Sequence, residues 1–198
     1  ISAADGLLDY AQDIALVHRA VALPPTSPLI VLRHTQAVKR TDYGGKVDAE
    51  RPLTGRGRSQ ARATVPLLEA FGVTEVFSSP FARCHQSVRR LAKALDVSVQ
   101  HDHSFSEAGH ASDPGLTAKR TRRLLRNPAP LVLCTHRPVL PTVLGALSEH
   151  ARVDEEIAGD AWDPRMPPGS FIVIHRAFDG DREPRIVSVE RHRPSLGE

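Results

Sequence analysis

Leu29-Ile30-Val31-Leu32-Arg33-His34-Thr35 opens on four apolar residues in a row and then stops on charge. A short apolar run without alternation, closed by polar residues, reads as a strand buried on both faces. The pattern returns at Leu131-Val132-Leu133-Cys134, closed by Thr135-His136, and more briefly at Val76-Phe77, closed by Ser78-Ser79-Pro80, and at Val97 to Val99. Helical stretches lie between these runs. Thr54 is a good N-cap for a helix to Phe71, with Gly72 as its stop and Pro66 predicting a kink. Further helices are expected from Phe81 to Leu95, from Leu116 to Arg126 and from Val139 to Glu149. Thr35 to Pro52 and His101 to Gly115 read as loops. Phe171 to Arg176 and Ile186 to Arg191, with a turn near Asp179-Gly180, read as a closing hairpin. Strands alternating with helices predict an α/β fold, a central mostly parallel sheet with helices on both faces.

The 198 residues suffice for one well-cored domain, starting at Leu29 and running to Glu198. Residues Ile1 to Pro28 differ: Leu7, Leu8, Ala11, Ile14, Ala15 and Val17 suit a short amphipathic helix, and Leu23-Pro24-Pro25-Thr26-Ser27-Pro28 a stiff connector. The segment reads as an interdomain linker or the tail of a missing neighbouring domain; because the chain begins at Ile1, a fragment or a processed form, with a partner domain upstream, is the expectation. No apolar run approaches the ~18 residues of a membrane span. No secretory signal pattern opens the chain. Cys84 and Cys134 form neither a metal pair nor a disulfide framework, which suits a reducing cytoplasm. The formal charge is +3, carried mostly by arginine, since Lys39, Lys46, Lys93 and Lys119 are the only lysines. Arginine is the better bidentate phosphate partner, and equally an ordinary solvated surface residue.

In α/β sheets ligands bind beyond the carboxyl ends of the strands. Two such ends carry Arg33-His34 and Thr135-His136; a third leads into Ser79-Pro80-Phe81-Ala82-Arg83, and Glu107 follows the next strand. The set suits phosphoryl transfer. Arg33 and Arg83 would hold the equatorial oxygens, and a neutral His34 would attack phosphorus. His136, protonated, would clamp a further oxygen. Glu107 would protonate the leaving oxygen if burial or the nearby phosphate raised its pKa.

Five segments in this order resemble the histidine phosphatase superfamily, which includes phosphoglycerate mutases and phosphohistidine phosphatases. Leu32-Arg33-His34-Thr35 resembles its Arg-His-Gly signature, and Arg51-Pro52-Leu53-Thr54-Gly55-Arg56-Gly57 the following RPLT-x-x-G. Ser78 to Arg83 resembles SSP-x-x-R, Ser106-Glu107 the acidic motif, and Thr135-His136-Arg137-Pro138 GH-x-P. The resemblance implies a phosphoglycerate-mutase-like three-layer sandwich, His34 as nucleophile, and phosphate binding by Arg33, Arg83 and His136. It implies Glu107 as acid, and neither cofactor nor metal. Thr35 and Thr135 replace glycines, adding side chains that would narrow the site, with Thr35 a candidate substrate contact. Mutase insertions are absent, so the chain is closer to the small phosphohistidine-phosphatase branch. It is similar in particular to the C-terminal domain of mycobacterial MutT-type hydrolases, where a Nudix domain precedes a histidine phosphatase domain. That similarity implies a nucleoside di- or triphosphate substrate, including oxidised guanine nucleotides, with Arg40 and Arg51 on the second phosphate or nucleoside. It also implies a Nudix domain as partner, in the same protein or a neighbouring one.

Other readings stand beside this one. The branch also allows a phosphohistidine protein as substrate, or a non-catalytic phosphate-binding or domain-docking module. Cys84 to Arg90 has the C-x5-R spacing of cysteine phosphatases, although within a predicted helix that lacks glycine. His101-Asp102-His103 with His110 is a candidate metal cluster. Lys119-Arg120-Thr121-Arg122-Arg123 with Arg126 is a basic helix face, but aromatics are too few for a nucleic-acid stacking platform.

Overall fold

The computed structural model describes residues 14, 17, 18, 21, 24–149, 152, 153, 159–178, 180 and 183–193. The amphipathic helix expected across Leu7 to Val17 lies, apart from Ile14 and Val17, outside the described residues, as does Asp179 of the expected turn. Seven strands form one sheet: β1 Ser27–Arg33, β2 Glu75–Ser78, β3 Val99–His101, β4 Leu131–Thr135, β5 Arg152–Val153, β6 Phe171–Ala177 and β7 Arg185–His192. Among the described residues the sheet is accompanied by the helices α1 Gly55–Ala70, α2 Ala82–Ala94, α3 Glu107–Ser112, α4 Pro114–Leu125 and α5 Leu140–Glu149. The strand order is β3-β2-β4-β1-β6-β7-β5. β3, β2, β4 and β1 run parallel, β6 joins β1 antiparallel, and β7 joins β6 antiparallel as the expected hairpin.

Side-chain alternation along β1 divides the core. Leu29 and Val31 pack with Leu125 of α4 and with Val143 and Leu147 of α5. Ile30 and Leu32 face the other way, onto Leu68 of α1 and Val88 and Leu91 of α2. Each run of four apolar residues therefore feeds both sides, which is why alternation is missing from the sequence.

Local chemistry explains the ends. The Thr54 hydroxyl accepts from Gly57 N–H, α1 runs through Pro66 to Ala70, and Gly72 follows at φ 69°. Arg176 of β6 is fully buried and donates to the carbonyls of Leu124, Leu125, Asn127 and Ala129, collecting the open end of α4. Burial pushes its pKa down to about 10.

Three expectations need correction. β1 begins at Ser27, two residues before Leu29, so Pro28 belongs to the sheet. The third strand lies at Val99–His101 and not at Val97 to Val99, because Val76 to Ser78 pair with Val99 to His101. His101 to Gly115 is not a plain loop: after a short turn at His103–Phe105, Ser106 caps α3 by accepting from Gly109 N–H, and Asp113 caps α4 by accepting from Leu116 N–H.

Candidate active site

Sheet register assembles the crevice. Arg33 pairs with Thr135 and Ser78 with Cys134, so the residues leaving β1, β4 and β2 emerge side by side at one sheet end. The His34 and His136 rings lie 5.3 Å apart, and His136 Nε2 is 2.8 Å from Ser79 Oγ.

His34 is buried, 7% exposed. Its Nδ1 lies 2.7 Å from the Thr35 carbonyl oxygen, which only accepts, so Nδ1 carries the proton and Nε2 keeps its lone pair. Burial, then the facing His136, and more weakly Arg83 and Arg33, push the His34 pKa down to about 3, against the pull of the Thr35 carbonyl. The ring is neutral near pH 7. Arg33 beside it donates from Nη1 to the Met166 carbonyl at 2.5 Å, and its buried Nε finds no acceptor among the described residues.

Arg83 is fully buried at the start of α2. Its Nη1 donates to the Asp48 carbonyl at 2.9 Å, and its Nη2 to Asp48 Oδ2 at 3.1 Å and to Glu107 Oε1 at 2.8 Å. His136 Nδ1 faces both Arg83 Nε at 3.2 Å and Glu107 Oε1 at 3.4 Å. Neutral at that nitrogen it accepts from Arg83; protonated, it donates to Glu107. Burial works against the charged ring, but the Cys84 sulfur, 3.4 Å from Nε2, and Glu107 outweigh it and the net shift is upward.

Glu107 opens α3, with Oε2 receiving Arg40 Nη2 at 2.5 Å. The contact with His136 and then Arg83 hold its carboxyl well below the usual range, although burial opposes them. The burial that would raise it is outweighed by carboxylate contact with cations. In this arrangement Glu107 is an ion gripped by cations.

The structure brings His34, Arg33, Arg83, His136, Glu107 and Arg40 together. It gives Thr35 and Arg51 other work. Thr35 is fully buried, with both its N–H and its hydroxyl on Ser87 Oγ, so its side chain supports the loop and does not narrow the crevice. Thr135 likewise spends its hydroxyl on the Phe105 carbonyl, tying β4 to the segment that carries Glu107. Arg51 donates to Asp48 Oδ1 at 2.8 Å and to the Val38 carbonyl, an anchor of the loop.

Asp48 escaped the sequence reading. Its carboxylate takes Arg51, Arg83 and Arg40 together, and although burial works to raise its pKa, the Arg51 hydrogen bond and the three charges shift it downward. Its position three residues before Arg51 was the available signal. The glycine of RPLT-x-x-G also has a cause: a Cβ at Gly57 would stand 2.0 Å from the Gln36 carbonyl oxygen.

The rival sites do not assemble. Cys84 is buried inside α2 while Arg90 is exposed. His101 contacts His85 and His110 contacts Thr142, and no group of three metal-ligating side chains gathers among the described residues. No described helix is long and apolar enough to cross a membrane.

The fold and this crevice define a class. The model of the histidine phosphatase superfamily (branch 1) matches residues 29–130, more than half of the chain, and the chain belongs to that superfamily; it is a histidine-dependent phosphatase by class. His136 lies just beyond the matched residues, directly after β4, the strand that pairs with β1 ahead of His34. Over 161 residues the chain is 35% identical to an 8-oxo-(d)GTP phosphatase of Mycolicibacterium smegmatis, covering 81% of this chain and 50% of that protein. The chain thus spans about half the length of this curated relative. Solved structures with the same fold include the protein histidine phosphatase SixA complexed with tungstate, at 21% identity and TM-score 0.55, covering 82% of this chain and 95% of that one. A mycobacterial glucosyl-3-phosphoglycerate phosphatase aligns at 17% identity and TM-score 0.56, covering 84% and 97%.

Proposed function

We propose that this chain hydrolyses a nucleoside di- or triphosphate, oxidised guanine nucleotides among them, through a phosphohistidine at His34, as a domain linked to a Nudix domain. One observation carries the chemistry: His34, its Nδ1 on the Thr35 carbonyl, stands 5.3 Å from the His136 ring at the sheet end that also carries Arg33 and leads to Arg83. The Mycolicibacterium smegmatis relative supports the substrate class and the longer parent protein.

In this reading Nε2 of His34 attacks the terminal phosphorus and the bond to the leaving oxygen breaks. Arg33, whose Nε has no acceptor among the described residues, Arg83 and a protonated His136 hold the equatorial oxygens, whose charge is spread in the transition state. Arg40, side chain 64% exposed at the rim, turns to the second phosphate. As the phosphoryl group draws Arg40 and Arg83 away from Glu107, the like charge of the substrate raises the carboxyl, which then carries the proton to the leaving oxygen. Water attacks the phosphohistidine, Glu107 accepts its proton, and phosphate leaves. Arg51 and Asp48 position Arg83.

The test is phosphate release from nucleoside diphosphates and triphosphates, 8-oxo-dGTP included, and from a phosphohistidine protein. Wild type is expected to prefer a nucleotide and to trap an acid-labile, alkali-stable phosphoryl group from labelled substrate. His34→Ala is expected to lose at least a thousandfold in rate and all of the trapped label. Preference for the phosphohistidine protein would replace the substrate assignment. Full activity in His34→Ala would overturn the mechanism.

A further inference from the structure

A second cleft of about 700 Å³ opens outside the catalytic crevice, between β2–β3 and α4. Its wall is the basic face of α4 that the phosphatase chemistry leaves unused. Arg120, Arg123 and Arg126 recur every three residues and therefore project along one side of the helix into the cleft. Arg120 is paired with Asp102 at 3.4 Å, and Arg126 with Glu183. Both are surface pairs of the kind that exchange readily for a stronger anion. Arg123 is exposed and has no acid partner among the described residues. The same three arginines, with Lys119, line an adjoining hollow of about 390 Å³, so the positive surface continues past the cleft.

The opposite wall is different. Phe77 and Gln100 are register partners on the parallel strands β2 and β3, so their side chains project from the same sheet face. Phe77 is part-buried against the core and Gln100 is exposed. The cleft thus sets one phenyl ring and one amide across from a row of guanidinium groups, with the Glu75 carboxylate, held by Asn127 Nδ2 at 2.7 Å, and the exposed His101 and His103 beside them.

We infer that this cleft is a second ligand site that takes a nucleoside phosphate, its phosphate on Arg123 and Arg120 and its base against Phe77 and Gln100. Three features select this class. The volume falls within the ~300–1,000 Å³ of small-molecule sites, far more than inorganic phosphate fills. The aromatic wall gives a planar base something to cover, which a bare anion would not use. One part-exposed phenyl ring serves one base, whereas a single-stranded nucleic acid calls for successive stacking platforms.

The test titrates the His34→Ala protein, which leaves the ligand intact, with guanosine 5′-monophosphate, guanosine and inorganic phosphate by calorimetry. Guanosine monophosphate is expected to bind at an Arg123-dependent site at least tenfold tighter than either fragment. Arg123→Glu is expected to weaken that site at least tenfold, and Arg123→Ala to fall between. Because Arg123 lies outside the catalytic crevice, Arg123→Glu in the otherwise wild-type protein should keep its rate of phosphate release, which reports an intact fold. An isotherm unchanged by Arg123→Glu overturns the site. Inorganic phosphate binding there as tightly as the nucleotide overturns the ligand class. An RNA oligonucleotide that binds more than tenfold tighter than the mononucleotide, and depends on Arg123, makes the cleft a nucleic-acid surface instead. None of these outcomes depends on which substrate the catalytic crevice hydrolyses.

Discussion

Asp48 holds three guanidinium groups with one carboxylate, and one of them belongs to the fully buried Arg83. A buried arginine needs its donors satisfied, and its direction follows from where the acceptors stand. Asp48 supplies two of them, the Oδ2 and its own carbonyl. Asp48→Asn keeps the shape and removes the charge. It is expected to lower kcat/KM for phosphate release ten- to hundredfold, about 1.4–2.7 kcal/mol of transition-state stabilisation, with thermal unfolding shifted by no more than a few degrees. Steady-state kinetics beside a melting curve check this, and an unchanged kcat/KM would mean that Arg83 is aimed by Glu107 and His136 alone. The candidate-site residues that were legible in the sequence, His34, Arg83 and His136, stand directly after a strand end or in the first turn of the following helix, which fixes their place. Asp48 was not legible, because it opens a three-residue 3-10 turn, Asp48–Glu50, in a connection whose path is set by contacts of Arg51 with Val38 and of Ala37 with Leu53.

At the scale of elements, α3 is the piece that delivers Glu107, although it spans only Glu107–Ser112. Such a short helix has little intrinsic stability and depends on its packing. Gly109 is where it packs. A Cβ there would stand 2.1 Å from the His103 carbonyl oxygen and 2.8 Å from the carbonyl carbon, both backbone atoms that cannot swing aside. Gly109→Ala is therefore expected to displace α3, cost about 1–3 kcal/mol in chemical denaturation, and lower kcat at least tenfold. Gly145→Ala is the contrasting case, since its Cβ would meet nothing closer than a flexible Glu149 oxygen at 3.8 Å; it should stabilise α5 by ~0.5–1 kcal/mol. Loss of stability without loss of kcat in Gly109→Ala would detach α3 from the chemistry. The helix was hidden in the sequence because it is too short for periodicity to register; its caps, Ser106 and Asp113, were the readable signals. The long helices α1 and α2 were legible because Thr54, Gly72 and the polar stops around them mark their ends.

For the molecule as a whole, the sheet was legible where apolar runs are long and bounded, as in β1, β4 and β6, and least so at β3, whose three residues are placed by pairing with β2. The same sheet makes the catalytic crevice a source of pH dependence. His34 is buried neutral, with its pKa pushed down to about 3, while in the unfolded chain it titrates near ~6.5. Below ~6.5 the unfolded chain takes a proton that the folded chain refuses, so stability falls as pH falls, until the folded pKa is passed. Asp48 and Glu107, both held below their ordinary values, add loss of the same sign within the carboxylate range, lower still. His136, shifted upward, acts the other way: its contribution is full below ~6.5 and fades as pH rises through its folded value. Between pH ~6.5 and ~5 the His34 proton therefore dominates, at up to ~1.4 kcal/mol per pH unit. Urea unfolding across that range should show a slope approaching that value in the wild type. In His34→Gln, which removes the titrating ring, the slope should flatten above pH ~5 while the carboxylate loss below it remains. Parallel slopes in the two proteins would show that His34 is protonated in the folded state, and a protonated ring has no lone pair with which to attack phosphorus.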